Sequence, residues 1–453
     1  MHKLARSQSK NPMSGTPKEN RIKLKKALLL INSIGCPRSV LLKLRVEDYL
    51  KANDWLIVSP SEIKSCDLVV FFGCGLINDE KQQSLRIVRD VKEQLVQLKN
   101  PPMFIVTGCL PPQNRNELLQ IHDGPAFGPL ELERFDDLIN AVVRIADIPS
   151  RNKVATLERV RVVIGDRKRD RIIRKLVFYI PHMAIMTIVS AYYKILNGAL
   201  FYNPDRDVSP FDSYQIGDQS WCILTSVGCL GNCSYCISKF AKGSLKSRPP
   251  QEVIEEARQG IKLGYKWISL IADDNGVYGR DIGTNLGTLL RELTNIEGDF
   301  NILVDSLNTI HFIKLCDEFP DVFTSGKINR ICLAVQHVNP RILSSMNRSY
   351  DVSQLKQHIH TLSIASPEFI IDAHYMIGYP GETEEEFEEL LSFAEWLLKV
   401  NPLNSFKTFK FTADPRTVAG NLGGQLSKMV IHKRALRLDQ VRIKHRYTRR
   451  KSG

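Results

Sequence analysis

The sequence predicts two α/β units in tandem: an open parallel sheet, then a parallel (β/α) barrel or partial barrel. Short apolar runs of strand length alternate with helical-period segments over 26–148, and again over about 216–415. Hydrophobic residues make up 43% and charged residues 25% of the 453, an ordinary globular balance that excludes wholesale disorder. That length suggests roughly two to three domains and a core large enough to need no disulfide staples.

Residues 1–25 mix Ser, Asn, Pro, Gly and Lys without periodicity and read as a disordered basic arm. No apolar run follows Met1, so no secretory signal is expected. In the first unit, 26–148, Ala27–Ile31, Asp67–Phe72 and Met103–Thr107 are strand candidates, and Asp79–Lys99 has helical period. The segment 149–215 fits neither neighbour. It holds an uncharged stretch, Leu176–Tyr193, at the lower limit of a membrane-spanning length. Pro181, His182, Thr187, Ser190 and three tyrosines within it favour a buried or interface helix, and no stable span is expected.

From Trp221 the alternation resumes. Trp221–Ser226, Trp267–Ile271, Asn301–Val304, Arg330–Val335 and Phe369–Ala373 are strand candidates. Pro250–Leu263, Asn285–Leu293, Val352–Leu362 and Thr383–Lys399 are helix candidates, the last opened by a Thr cap and a run of glutamates. Residues 416–453 read as a Lys/Arg-rich helix and tail.

The formal charge is +13. Residues 1–26 carry +7, residues 151–175 carry +7 and residues 428–453 carry +9, so everything else together stands at −10. The basic character lies in the tails and the connector, and the predicted folded bodies are acidic. That distribution is a weak pointer to nucleic acid, because basic tails serve several purposes.

The ten cysteines carry more information. Without a secretory signal they point to metal or redox chemistry rather than structural disulfides. Cys229, Cys233 and Cys236 cluster on one loop, as Cys-x3-Cys-x2-Cys, directly after a predicted strand. Three thiolates at this spacing suit three irons of a 4Fe-4S cluster and leave the fourth open. A structural zinc site, the competing reading, wants four protein ligands, and the loop offers no fourth Cys or His. Cys36, Cys74 and Cys109 each follow the C-terminal end of a predicted strand, where open α/β sheets place ligands. Cys66, Cys222, Cys316 and Cys332 read as buried apolar residues.

The Cys229 loop is the radical S-adenosylmethionine signature, and Tyr235 fits the aromatic position before its last cysteine. With Cys36, Cys74 and Cys109 ahead of it, the chain resembles the radical S-adenosylmethionine methylthiotransferases. Ser247-Arg248-Pro249, Asp273–Gly279, Val335-Gln336 with Leu343, Met346, Arg348 and Tyr350, and Ile377–Thr383 resemble further blocks of that family. The 278–286 block looks most like the branch acting on threonylcarbamoyladenosine in tRNA.

The resemblance implies a partial (β/α)6 barrel at 216–415, two 4Fe-4S clusters, S-adenosylmethionine, and conversion of a C–H bond to C–SCH3. It assigns the radical cluster to Cys229, Cys233 and Cys236, and a sulfur-bearing auxiliary cluster to Cys36, Cys74 and Cys109. Tyr235, Asp273, Asp274, Gln336, Arg348, Gly378 and Gly381 become the candidates for holding S-adenosylmethionine. In this reading the Asp273/Asp274 pair accepts from its ammonium, and the two glycines let backbone approach it.

The family's C-terminal TRAM barrel is not recognisable after Val418, and its Arg-x-Gly-Thr-x-Ala block is degenerate here, as Asp414-Pro415-Arg416-Thr417-Val418-Ala419. These departures lean the substrate towards a peptide or protein, with tRNA as the alternative. A non-catalytic Fe–S scaffold is the reading from another class. A flavodoxin or ferredoxin is the expected electron donor, and a cytoplasmic location is expected.

Overall fold

The computed structural model describes residues 24–32, 36–76, 78–148 and 220–451. The apolar stretch 176–193 and the basic segment 151–175 lie outside them, as does the arm before residue 24. Among the described residues no helix is long and apolar enough to cross a membrane.

The first unit is a four-stranded parallel sheet of β1 (Lys25–Ile31), β2 (Trp55–Val58), β3 (Leu68–Gly73) and β4 (Met103–Gly108), ordered β2-β1-β3-β4. β3 is buried at all six positions, as expected for a central parallel strand covered on both faces. One face packs Val46, Tyr49 and Phe135 into a core, and the other packs Leu85, Val88 and Leu118. The strand pattern in the sequence does not reveal β2, a four-residue edge strand with no fully buried position.

The second unit is a six-stranded parallel sheet. Its strands are β5 (Ser220–Leu224), β8 (Trp267–Ile271), β9 (Asn301–Asn308), β10 (Ile328–Gln336), β11 (Ile370–Ile377) and β12 (Ser405–Lys410). Their spatial order follows the chain, and β5 and β12 form the edges. A short antiparallel pair, β6 (Ser226–Val227) and β7 (Lys246–Ser247), brackets the Cys229 loop. Helices Pro250–Lys262, Leu286–Thr294, Thr309–Glu318, Val352–Ala365 and Glu384–Val400 bury their apolar stripes on the sheet. Thr383 and Glu386 form the reciprocal capping box at the start of the last.

The basic C-terminal segment forms helix Lys428–Lys451. It docks on the barrel through Ile431, Ala435 and Leu438. This segment meets two glycines that follow β11, Gly378 and Gly381. Gly378 has φ +77°, and a Cβ there would lie 2.5 Å from Cγ1 of Ile431. Gly381, at φ +73°, instead donates its N–H to the Gly424 carbonyl at 2.8 Å. Both glycines thus contribute to seating the C-terminal segment. Gly378→Ala is therefore expected to destabilise the barrel by about 1–3 kcal/mol, read as a lower denaturation midpoint. An unchanged midpoint would show that Ile431 does not need this space.

Candidate active site

Strand order places the first cysteine trio at one end of the first sheet. β1, β3 and β4 are neighbours, and Gly73 pairs with Gly108, so Cys74 and Cys109 leave the sheet side by side. Gly108 has φ +89°, and a Cβ on it would meet the Gly73 carbonyl at 2.8 Å, so the close pairing needs glycine. Cys36 and Cys109 sit at the N-cap positions of helices Pro37–Ala52 and Leu110–Gln113. The Cys74 backbone is clamped: its N–H donates to Ser84 Oγ at 3.0 Å, and the Ser84 hydroxyl donates back to its carbonyl at 2.9 Å. Buried Asn32 donates to the same Ser84 Oγ at 2.9 Å.

Electrostatics distinguish the cysteines of this trio. Burial raises Cys36, but Arg38, Ser39 and Lys242 outweigh it and hold the thiol below its ordinary value. Burial wins at Cys109, which is raised although the charges of Lys242 and Arg38 lie near.

The second trio occupies the loop between β6 and β7. The Gly231 N–H donates to Cys229 Sγ at 3.1 Å, and Arg348 Nη1 donates to Cys233 Sγ at 3.5 Å. Such N–H···S donors are what thiolates bound to iron accept, so the loop fits a cluster. Arg348 also donates to Tyr235 Oη at 3.1 Å, Asn308 Oδ1 at 2.9 Å and the Ala334 carbonyl at 2.6 Å. It thereby ties the loop to the ends of β9 and β10. The loop is pinned again where Ser234 N–H donates to the Met346 carbonyl at 3.1 Å, and where Ala419 N–H donates to the Ser234 carbonyl at 2.9 Å.

Burial, then the Asp274 carboxylate, push the Cys229 thiol up to about 12, and the neighbouring Cys233 and Cys236 add to the rise. Metal binding must overcome this, because the ligand is the thiolate. Among the described residues no three His, Cys, Asp or Glu side chains are drawn together to the spacing of ligands around an ion.

The other predicted residues divide. Gln336 ends β10 with φ +65°, a strained value for a side chain of its size, and its Oε1 is buried without a hydrogen-bond partner. The Tyr350 hydroxyl holds the flanking carbonyls, 3.0 Å from Val335 O and 2.5 Å from His337 O. An orphaned acceptor at a strand end is a site awaiting a donor.

Asp274 spends Oδ1 on the amides of Gly276, at 2.9 Å, and Asn308, at 3.2 Å, while Oδ2 faces Cys229 Sγ at 3.9 Å and His311 Nε2 at 4.0 Å. Burial holds His311 below its ordinary value despite that carboxylate. Asp273 is held from both units. One oxygen accepts the Gly228 N–H at 2.9 Å, and the other is bound by Arg38 of the first unit. Both of its oxygens therefore have protein partners.

The four remaining cysteines, Cys66, Cys222, Cys316 and Cys332, are buried as expected. Burial pushes Cys66 up to about 11 and Cys222 up to about 12, which keeps both as neutral thiols. Arg38, Lys242, Gln113 and Asn308 lie around the cysteine trios and contact protein groups there, although no motif marks them. Only Arg38, two residues from Cys36, carries a local signal in the sequence.

Comparison with known proteins adds to this geometry. Residues 223–394 match the Radical SAM superfamily model, and residues 29–127 match the model described as uncharacterized protein family UPF0004. A relative from Pyrococcus abyssi, named "Probable threonylcarbamoyladenosine tRNA methylthiotransferase", is 30% identical over 402 residues, covering 87% of this chain and 79% of its own. The chain belongs to the radical S-adenosylmethionine methylthiotransferase family.

This methylthiotransferase is also 28% identical over 434 residues to a Geobacter sulfurreducens "Ribosomal protein uS12 methylthiotransferase RimO", covering 92% of this chain and 83% of that one. Among solved structures, the radical S-adenosylmethionine methyltransferase TsrM from Kitasatospora setae superposes with a TM-score of 0.54 at 15% identity. That match covers 88% of this chain and 77% of that one, and it supports the fold. Family membership makes the chain an enzyme, with S-adenosylmethionine and a 4Fe-4S cluster implied.

Proposed function

We propose that this methylthiotransferase acts on tRNA, replacing a C–H bond of a threonylcarbamoyladenosine base with C–SCH3. The observation carrying the substrate class is an aromatic platform beside the radical loop. Phe240 is 41% exposed, with Lys239 Nζ 5.6 Å and the Arg416 guanidinium 5.2 Å from its ring centroid. Arg416 belongs to the segment whose Ala419 is bonded to the cysteine loop, so the ring lies at the rim of the chemistry. An exposed aromatic flanked by cations suits an unstacked base next to a phosphate. The tRNA named by the Pyrococcus relative and the 278–286 block support the same choice. The reading departs from the lean towards peptide that the sequence alone suggests.

Within this reading Cys229, Cys233 and Cys236 hold the radical-generating cluster, and Cys36, Cys74 and Cys109 hold a second, sulfur-bearing one. When bound, the first supplies the electron that cleaves S-adenosylmethionine to a hydrogen-abstracting adenosyl radical, and the second supplies sulfur. Gly231 and Arg348 stabilise the thiolates, Asp274 shapes the floor beside Cys229, and Gln336 offers its free acceptor to the bound cofactor.

Replacing Cys36, Cys74 and Cys109 together by alanine is expected to lower iron per chain by about half while 5′-deoxyadenosine formation stays detectable. Unchanged iron stoichiometry would remove the second cluster. The substrate is tested by incubating the reconstituted enzyme with S-adenosylmethionine, a reductant, and either tRNA carrying threonylcarbamoyladenosine or ribosomal protein uS12. Mass spectrometry is expected to find a methylthio group on the nucleoside. A product on the protein alone would overturn the tRNA assignment.

A further inference from the structure

We propose that the Arg38–Asp273 ion pair is a positioning device that holds the first cysteine trio in register over the radical loop; this rests on the reading of Cys36, Cys74 and Cys109 as the sulfur-bearing site. Arg38 lies in the first turn of helix Pro37–Ala52, two residues after Cys36. Asp273 follows β8, 235 residues away, and their side chains are 23% and 6% exposed. The second Asp273 oxygen accepts the amide of Gly228, the residue before Cys229. One unbroken path therefore runs from Cys36 through Arg38, Asp273 and Gly228 to Cys229. Gly228 has little freedom to yield: φ is +82°, and any Cβ would collide with the Ser244 carbonyl.

Two more polar contacts cross the same joint, each beside a cysteine. Gln113, four residues after Cys109 and 4% exposed, donates through Nε2 to the carbonyl of Ile237 at 2.7 Å, next to Cys236. The ammonium of Lys242 of the second unit, 8% exposed, lies close enough to Cys109 to favour its thiolate. Between them Leu41 of the first unit packs on Cys222 and Ile271 of the barrel.

A joint selected for stability alone would be expected to be apolar here. A buried ion pair recovers little net free energy after desolvation, and its best-attested use is to fix register. Register matters in this reaction because the carbon made radical at one site must meet sulfur held at the other. Reacting atoms need to sit about 3–3.5 Å apart, and a displacement of about 1 Å costs on the order of a hundredfold. Arg38 and Asp273 are positioning residues in this scheme.

The experiment compares wild type, Arg38→Gln, Arg38→Lys and the exchanged pair Arg38→Asp/Asp273→Arg in the tRNA reaction, measuring 5′-deoxyadenosine and methylthiolated nucleoside together. In Arg38→Gln, 5′-deoxyadenosine is expected to stay within about twofold of wild type while methylthiolated product falls at least tenfold, and Arg38→Lys is expected to restore most of it. Hydrogen exchange on the metal-free chains gives a readout independent of the clusters: amides of Gly228 and Gly231 should exchange faster in Arg38→Gln, and near the wild-type rate in the exchanged pair.

A parallel fall of both products, or no change in their ratio together with unchanged exchange, would overturn the proposal. Wild type giving 5′-deoxyadenosine but no modified nucleoside would sink the tRNA reading instead, with the exchange data still deciding the ion pair. The iron content of the Cys36, Cys74 and Cys109 variant separately decides the second cluster.

Discussion

Replacing Cys229, Cys233 and Cys236 together by alanine abolishes reductive cleavage of S-adenosylmethionine: 5′-deoxyadenosine formation falls to background in an assay by liquid chromatography. The expectation follows from the loop itself. Two of its sulfurs, on Cys229 and Cys233, receive N–H donors from Gly231 and Arg348, and all three are partly accessible, as cluster ligands on a rim should be. The fold is expected to survive, because these side chains lie outside the hydrophobic core and the loop keeps its backbone bonds at Ser234 and Cys236. Stability should change by no more than about 1 kcal/mol, so lost activity is not lost structure. If 5′-deoxyadenosine were still made at the wild-type rate, the radical assignment would be wrong.

Arg434→Met is expected to be the most destabilising single change at the C-terminal helix, by about 3 kcal/mol in chemical denaturation. Arg434 is 5% exposed and pairs with Glu382 at 3.0 Å, where the Glu382 side chain is fully buried. It also donates to the Glu382 carbonyl at 3.2 Å and pairs with Glu384 at 3.0 Å. Glu382 faces buried His337 at 3.4 Å and accepts the amide of Gly378. The His337 Nδ1 accepts the Asn339 N–H at 3.0 Å, so a neutral ring carries its proton on Nε2, towards Glu382.

Removing the guanidinium leaves a carboxylate in the interior without its counter-charge. Glu382→Gln should recover part of the loss in the double variant, since a neutral amide still accepts from Gly378. A loss below about 0.5 kcal/mol for Arg434→Met would show the pair to be energetically silent.

Much of this molecule is legible in its amino-acid order. Strand β8 has the predicted boundaries, and helices Pro250–Lys262 and Glu384–Val400 fall within a residue of theirs at each end. Their signals are local: apolar period, a proline at the first turn, a threonine cap. The edge strand β12 escapes because a strand at a sheet edge needs few apolar residues, whereas β2 is wholly apolar, Trp55–Val58, and escapes through its four-residue length. Ser405–Lys410 has one fully buried position, Phe406. Cys66, Cys222, Cys316 and Cys332, which stand in no motif, are buried as the sequence leads one to expect.

The sequence by itself determined the alternation of strands and helices, the Cys-x3-Cys-x2-Cys loop, and the placing of Cys36, Cys74 and Cys109 after strands. Each of these depends on neighbours within a few residues. Only the tertiary structure decided that Asp273 binds Arg38, that Gly378 makes room for Ile431, and that Lys242 reaches Cys109. Those partners are separated by 235, 53 and 133 positions along the chain. No local pattern specifies them, because a buried charge or a missing Cβ takes its meaning from whichever surface folding brings against it.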